Sequence, residues 1–262
     1  MIKSNKGLAF FRWRIPVCFA LLSMLWLSCT KSPKREHKIL LATAASAQFY
    51  AAELAQAFEA KYAVPVDLVV GSSGRLTTQL NNGAPYDIFL SADSTYTNLL
   101  EQRGLTILPP VTFGKGMPVL WSLKANLSTN SVSEVLNSSS IDRIAIANPV
   151  NAPYGASAWK YIEDHRLVKQ LSDQLVYGES LAQVNEYVMQ QVVDVGFCAE
   201  ISLLSGPLSE QGEFIPLGVG YEVPHTIALI RNQKKDTLKR QFLNFMSSEE
   251  GLILLSKYGF TK

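Results

Sequence analysis

The chain has 262 residues with 24 Lys plus Arg against 22 Asp plus Glu, a formal charge of +2, and is long enough for one large domain or two lobes with a substantial core. Eight of the basic residues and only one acidic residue fall before Ile39, so the remainder carries 16 basic against 21 acidic residues, a net of −5. That balance excludes a basic nucleic-acid-binding body and leaves any bound anion to be held by local donors.

Lys3, Lys6, Arg12 and Arg14 form a basic leader segment, Ile15–Leu27 is apolar but short for a membrane span, and Ser28-Cys29 follows. This order predicts an export signal over residues 1–28. The small residue directly before Cys29 resembles a bacterial lipobox, which implies lipidation of Cys29 and a membrane anchor, although Trp26 and Leu27 depart from the usual residues there. An uncleaved anchor or plain secretion are the alternatives. Residues 29–38 are polar, basic and Pro-containing, and read as a tether. Cys198, the one cysteine besides Cys18 of the leader and Cys29, sits in an apolar run and reads as a small hydrophobe.

Lys38–Thr43 is the first strand of the body, and Ala44-Ala45-Ser46 leads into a helical pattern over Ala47–Tyr62, with Ser46 as its N-cap. The β-branched run Val64–Val70 is followed by Gly71-Ser72-Ser73-Gly74 and a short helix, Leu76–Leu80. Strand, small-residue turn and helix start together make an anion seat, because backbone N–H groups and the helix dipole face the same point. Tyr86–Leu90 is a third strand, ending in the capping residues Ser91-Ala92-Asp93, and Tyr96–Arg103 a helix. Val119–Ser122 reads as a strand leaving the first lobe, followed by a short helix, Ser131–Leu136. The strand Ile141–Ala147 delivers the turn Asn148–Gly155 to the helix Ala156–His165; Leu175–Tyr177 delivers Gly178–Leu181 to the helix Ala182–Gln191. Val193–Phe197, Phe214–Leu217 and Pro224–Ile230 are further strands, and Lys235–Ser247 and Glu249–Tyr258 close the chain as helices. The alternation predicts an α/β fold of two lobes with mostly parallel sheets, two small-residue turns in each, meeting at a cleft.

Ala42–Ser46, Gly71–Gly74 and above all Asn82–Asp93 (NGAPYDIFLSAD) resemble the periplasmic molybdate-binding proteins of ABC transporters, as do Ile146–Pro149, Ala152–Gly155, Asp194–Phe197 and Lys257–Phe260. The resemblance runs from Ile39 to the end of the chain. It implies the type II periplasmic-binding-protein fold, with residues 39–121 plus 227–262 as lobe I and 122–226 as lobe II. It also implies capture of molybdate or tungstate without a cofactor or metal cation, and delivery to a membrane permease by a monomeric, extracytoplasmic protein. Carried over by position, Ser46 and Ser73 each offer a hydroxyl and an N–H, Tyr154 and Leu181 offer N–H groups, and Ala45 a further one. Where some members place a Tyr hydroxyl, this chain has Ala199.

Other readings are weaker. Sulfate or phosphate would suit the same fold, but hydrogenphosphate carries a proton that a donor-only cage does not accept. A serine hydrolase lacks a GxSxG elbow, and His37, His165 and His225 are scattered. Those histidines also lack metal-ligand partners at useful spacing, and Arg75 reads as a charge at the cleft rim.

Overall fold

The computed structural model describes residues 37–124, 127, 131–204, 206–232 and 235–260. The predicted signal, Cys29 and the tether through residue 36 lie outside the described residues.

Ile39–Ala44 (β1, ILLATA) is apolar at nearly every position and buried along almost its whole length, as a central parallel strand requires. It passes through a 3-10 turn, Ala45–Ala47, into α1 (Gln48–Tyr62). The first half continues as β2 (Val66–Gly71), α2 (Ser73–Asn81), β3 (Ile88–Ser91), α3 (Ser94–Gln102) and β4 (Val111–Gly116). Then come β5 (Pro118–Ser122), α4 (Val132–Leu136), β6 (Ile144–Ala147), α5 (Pro153–Asp164), α6 (Val168–Leu171) and β7 (Leu175–Gly178). The chain ends with α7 (Leu181–Met189), β8 (Val195–Ala199), α8 (Glu200–Leu203), β9 (Glu213–Pro216), β10 (Val223–Leu229), α9 (Asp236–Met246) and α10 (Glu249–Lys257).

These strands form two five-stranded sheets, ordered β2-β1-β3-β10-β4 and β7-β6-β8-β5-β9. In each sheet the first three strands of the order are parallel and the fourth is antiparallel to both of its neighbours. The antiparallel strand is in both cases the one that has just crossed from the other sheet: β5 enters the second and β10 returns to the first. This is the expected two-lobe type II periplasmic-binding fold.

The expected lobe boundaries need correction. Residues 118–121 pair with β8 and β9, so they belong to the second sheet, and Val223–Thr226 pair with β3 and β4, so they belong to the first. The crossings are at Met117 and between Pro216 and Val223. An apolar run such as Val119-Leu120-Trp121 predicts a buried strand but carries no label for the sheet that buries it. Strand β4 was also not expected; its Gly114-Lys115-Gly116 breaks the apolar pattern.

The closing helices complete the first lobe. Phe58 of α1 meets Phe242 and Phe245 of α9 with ring centroids 5.0 and 5.7 Å apart. At the N-terminal side of β3, the Asp87 carboxylate, 1% exposed, accepts from Leu40 N at 2.8 Å, Asn232 Nδ2 at 2.9 Å and Lys235 Nζ at 2.8 Å. It ties β1 and β3 to the segment that follows β10. Asp87→Ala strands these donors and is expected to lower unfolding free energy by about 2–3 kcal/mol, read from the urea midpoint.

Candidate functional site

The parallel strands β1 and β2 of the first lobe end at one edge of their sheet, as do β6 and β7 of the second, and each delivers a turn to a helix start. The four starts converge on one narrow pocket lined by Ala44, Ala45, Ser46, Ser72, Ser73, Ala92, Ala152, Pro153, Tyr154 and Leu181. All five residues expected from the sequence are therefore brought together: Ala45, Ser46 and Ser73 from the first lobe, Tyr154 and Leu181 from the second. Ala44, Ser72, Ala152 and Pro153 join them from the same turns, and Ala92 from the end of β3.

The hydrogen bonding around the pocket is one-sided. None of the four helix starts is capped by a side chain: the caps are Ala44 and Ala47 around the 3-10 turn, Ser72 at α2, Ala152 at α5 and Ser180 at α7. Of the other helix starts, three are capped by side chains: Asp93 accepts from Thr95 N at 2.7 Å, Ser131 forms a capping box with Glu134, and Ser248 caps α10; α6, α8 and α9 are not. The expectation that Ser46 caps α1 is thus overturned. It lies within the 3-10 turn, 4% exposed, and its hydroxyl has no hydrogen-bond partner. Ser73, fully buried, accepts at Oγ from Ala92 N at 3.1 Å, which leaves its own proton to be donated.

Among the described residues no carboxylate, lysine, arginine or histidine lines the pocket. The site is neutral and is lined by three serines, Ser46, Ser72 and Ser73, together with helix starts whose N–H groups lack intrahelical acceptors. Each helix start adds about half a positive charge, so the four together present about +2 to the same point. Arg75 and Glu179 are exposed and outside the lining. Ala199 is fully buried, outside the lining, and serves as the residue before α8.

Tyr154 has two separate roles. Its main chain stands at the second position of α5, while its phenol is buried and pairs with His225 Nε2 at 3.1 Å. The hydroxyl occupies the space beside Gly116, where a Cβ would lie 2.0 Å from the oxygen. Burial raises the phenol's pKa well above its ordinary value and lowers that of His225 to about 3, so both are neutral. Neither His225 nor His165 hydrogen-bonds to Ser46 or Ser73; His165 instead stacks on Tyr161. No serine here has the adjacent base that a nucleophile needs.

The profile of the bacterial extracellular solute-binding protein family matches residues 39–261. The molybdate-binding protein ModA of Rhodobacter capsulatus is 28% identical over 229 residues, covering 87% of this chain and 90% of its own. ModA of Azotobacter vinelandii is 30% identical over 211 residues, with 79% and 83% covered. The solved periplasmic molybdate-binding protein of Azotobacter vinelandii superposes with a TM-score of 0.80 at 25% identity, over 86% of this chain and 99% of that one. This chain belongs to the bacterial extracellular solute-binding protein family, whose members bind solutes rather than transform them.

Proposed function

We propose that this protein captures molybdate, or the equally tetrahedral tungstate, in the interlobe pocket and delivers it to an ABC permease. The observation that carries the reading is the convergence of four uncapped helix starts, two per lobe, on a pocket without a charged side chain and with the Ser46 hydroxyl unpartnered. A fully deprotonated tetrahedral dianion accepts hydrogen bonds at every oxygen and donates none, which matches a cage made only of donors. Ser46 and Ser73 would each give a hydroxyl and an N–H, with N–H groups from Ala45, Tyr154 and Leu181. Hydrogen bonds to a charged group contribute about 1.5–3 kcal/mol each, and submicromolar binding requires more than about 8 kcal/mol. Four or five together reach that range after the costs of association. The molybdate-binding relatives support the choice of anion and the permease as partner.

Export and anchoring complete the proposal. The leader sequence supports secretion across the cytoplasmic membrane, and Ser28-Cys29 supports a lipid anchor at Cys29. Among the described residues no helix is long and apolar enough to cross a membrane. A monomer with a tether of about ten residues can present either lobe to a permease.

Calorimetric titration of residues 39–262 with molybdate, tungstate, sulfate and phosphate tests the anion. Tight binding of the first two with weak sulfate binding is expected; preference for sulfate or phosphate would replace the named substrate. Because no ionisable carboxylate or amine lines the pocket, molybdate affinity is expected to be flat from about pH 6 to about pH 9; a steep profile in the same titration would place a titrating group in the site.

The two serines are expected to separate. Ser46→Ala removes a hydroxyl with no partner, so urea stability without anion stays level or rises, while molybdate affinity falls about tenfold or more. Ser73→Ala also weakens binding, but it leaves the buried Ala92 N–H without its acceptor and lowers stability by about 1–2 kcal/mol. Unchanged affinity in either variant would remove that serine from the cage.

A further inference from the structure

The turn between β6 and α5 is a short segment of the second lobe that touches the first lobe at several points outside the pocket lining. The Tyr96 hydroxyl donates to Val150 O at 3.1 Å, and Gly74 N donates to Asn151 O at 2.9 Å. At the far end of the turn, the Tyr154 phenol meets His225 of β10. The turn is itself rigid. Asn148 Oδ1 accepts from Val150 N at 3.0 Å, and Asn148 O accepts from Ala152 N at 2.9 Å and Asn151 N at 3.2 Å. Asn148 N in turn donates to Gly178 O at 2.7 Å, fixing the turn to the end of β7.

Gly74 is where this contact is tightest. A Cβ there would lie 3.0 Å from Asn151 Cα, 3.1 Å from its carbonyl oxygen and 3.2 Å from Oδ1. All three of these atoms belong to the opposite lobe. Within its own lobe Gly74 stands in the first turn of α2 without a positive φ, where alanine is the better helix former. The glycine therefore serves the approach of the two lobes rather than the folding of either.

We propose that the Asn148–Tyr154 turn is a closure latch, and that Gly74 is a positioning residue for solute capture that never touches the solute. The latch rests on the oxyanion reading above and deepens it. The Gly74 N–H seats the Asn151 carbonyl, the Tyr96 hydroxyl seats the Val150 carbonyl, and together they bring the Tyr154 N–H onto an anion already held by Ser46 and Ser73. Apparent affinity scales with the fraction of molecules that can close, so weakening the latch weakens binding of every anion in proportion.

The experiment compares full-length wild type, Gly74→Ala and Tyr96→Phe with molybdate as the probe. It reads thermal midpoint without anion, Kd, dissociation rate by stopped flow, and the contraction on binding by small-angle X-ray scattering. For Gly74→Ala the midpoint without anion is expected to hold or rise, Kd to rise about tenfold or more, mainly through faster dissociation, and the contraction to shrink. A role confined to fold stability would instead lower the midpoint. Tyr96→Phe is expected to raise the dissociation rate about two- to fivefold. Wild-type affinity and contraction in Gly74→Ala would overturn the latch while leaving the oxyanion reading in place. If Gly74→Ala does not fold, an unchanged dissociation rate in Tyr96→Phe overturns it and a faster one supports it. Wild-type protein that binds none of molybdate, tungstate, sulfate or phosphate overturns the oxyanion reading and the latch with it.

Discussion

Backbone N–H groups at a helix start have no partner within the helix, and the architecture here depends on where that deficit is left unfilled. An absent side-chain cap costs about 0.5–2 kcal/mol. At α3, α4 and α10 the side chains of Asp93, Ser131 and Ser248 supply the missing acceptor, while the starts of α6, α8 and α9 go without one. At the four starts that converge on the pocket no side chain does so either, and in each sheet the two parallel strands behind them end at one edge, which aims the starts at the pocket. The sheet topology thus turns four small local instabilities into one concentrated demand for an acceptor.

That demand is met without formal charge. With a net of −5 over residues 39–262, the protein's overall field does not attract an anion; the attraction is confined to the space where the helix ends meet. A site built from dipoles and hydroxyls has no counter-ion to displace and no group whose protonation alters its character near neutral pH. Neither lobe lines the pocket alone: Ala45, Ser46 and Ser73 come from the first, and Tyr154 and Leu181 from the second. In the proposed function, binding and closure are therefore thermodynamically coupled.

Much of this was legible in the sequence because it depends on short-range order. Each strand-turn-helix unit announces itself through an apolar run, a cluster of Gly, Ser, Ala or Pro, and a helical period, and Ser46, Ser73, Tyr154 and Leu181 all lie in such turns. What depends on the partner of a segment was not legible. The run containing Trp121 looks equally buried in either sheet, and it lies in the second. Gly114 and Gly116 hide strand β4, because they are demanded by Phe260 and Tyr154 packed against them from distant parts of the chain. The unpartnered hydroxyl of Ser46 ran against its residue type, which favours capping. The Gly74–Asn151 and Tyr154–His225 contacts exist only once two lobes have come together, and no local pattern encodes them.

The single-residue crossing at Met117 has a consequence for the order in which the molecule can be assembled. Everything in the second sheet, from β5 to β9, is one uninterrupted stretch of chain, so that lobe holds all of its strands before synthesis has finished. The first sheet is divided: β1 to β4 wait for β10, which arrives only after the entire second lobe has passed, and α9 and α10 come later still. Loop-closure entropy falls most heavily on that late pairing. The second lobe is thereby placed to act as a preformed insert, and the first lobe, with Ser46 and Ser73, is completed only when the stretch from Val223 onward has been delivered.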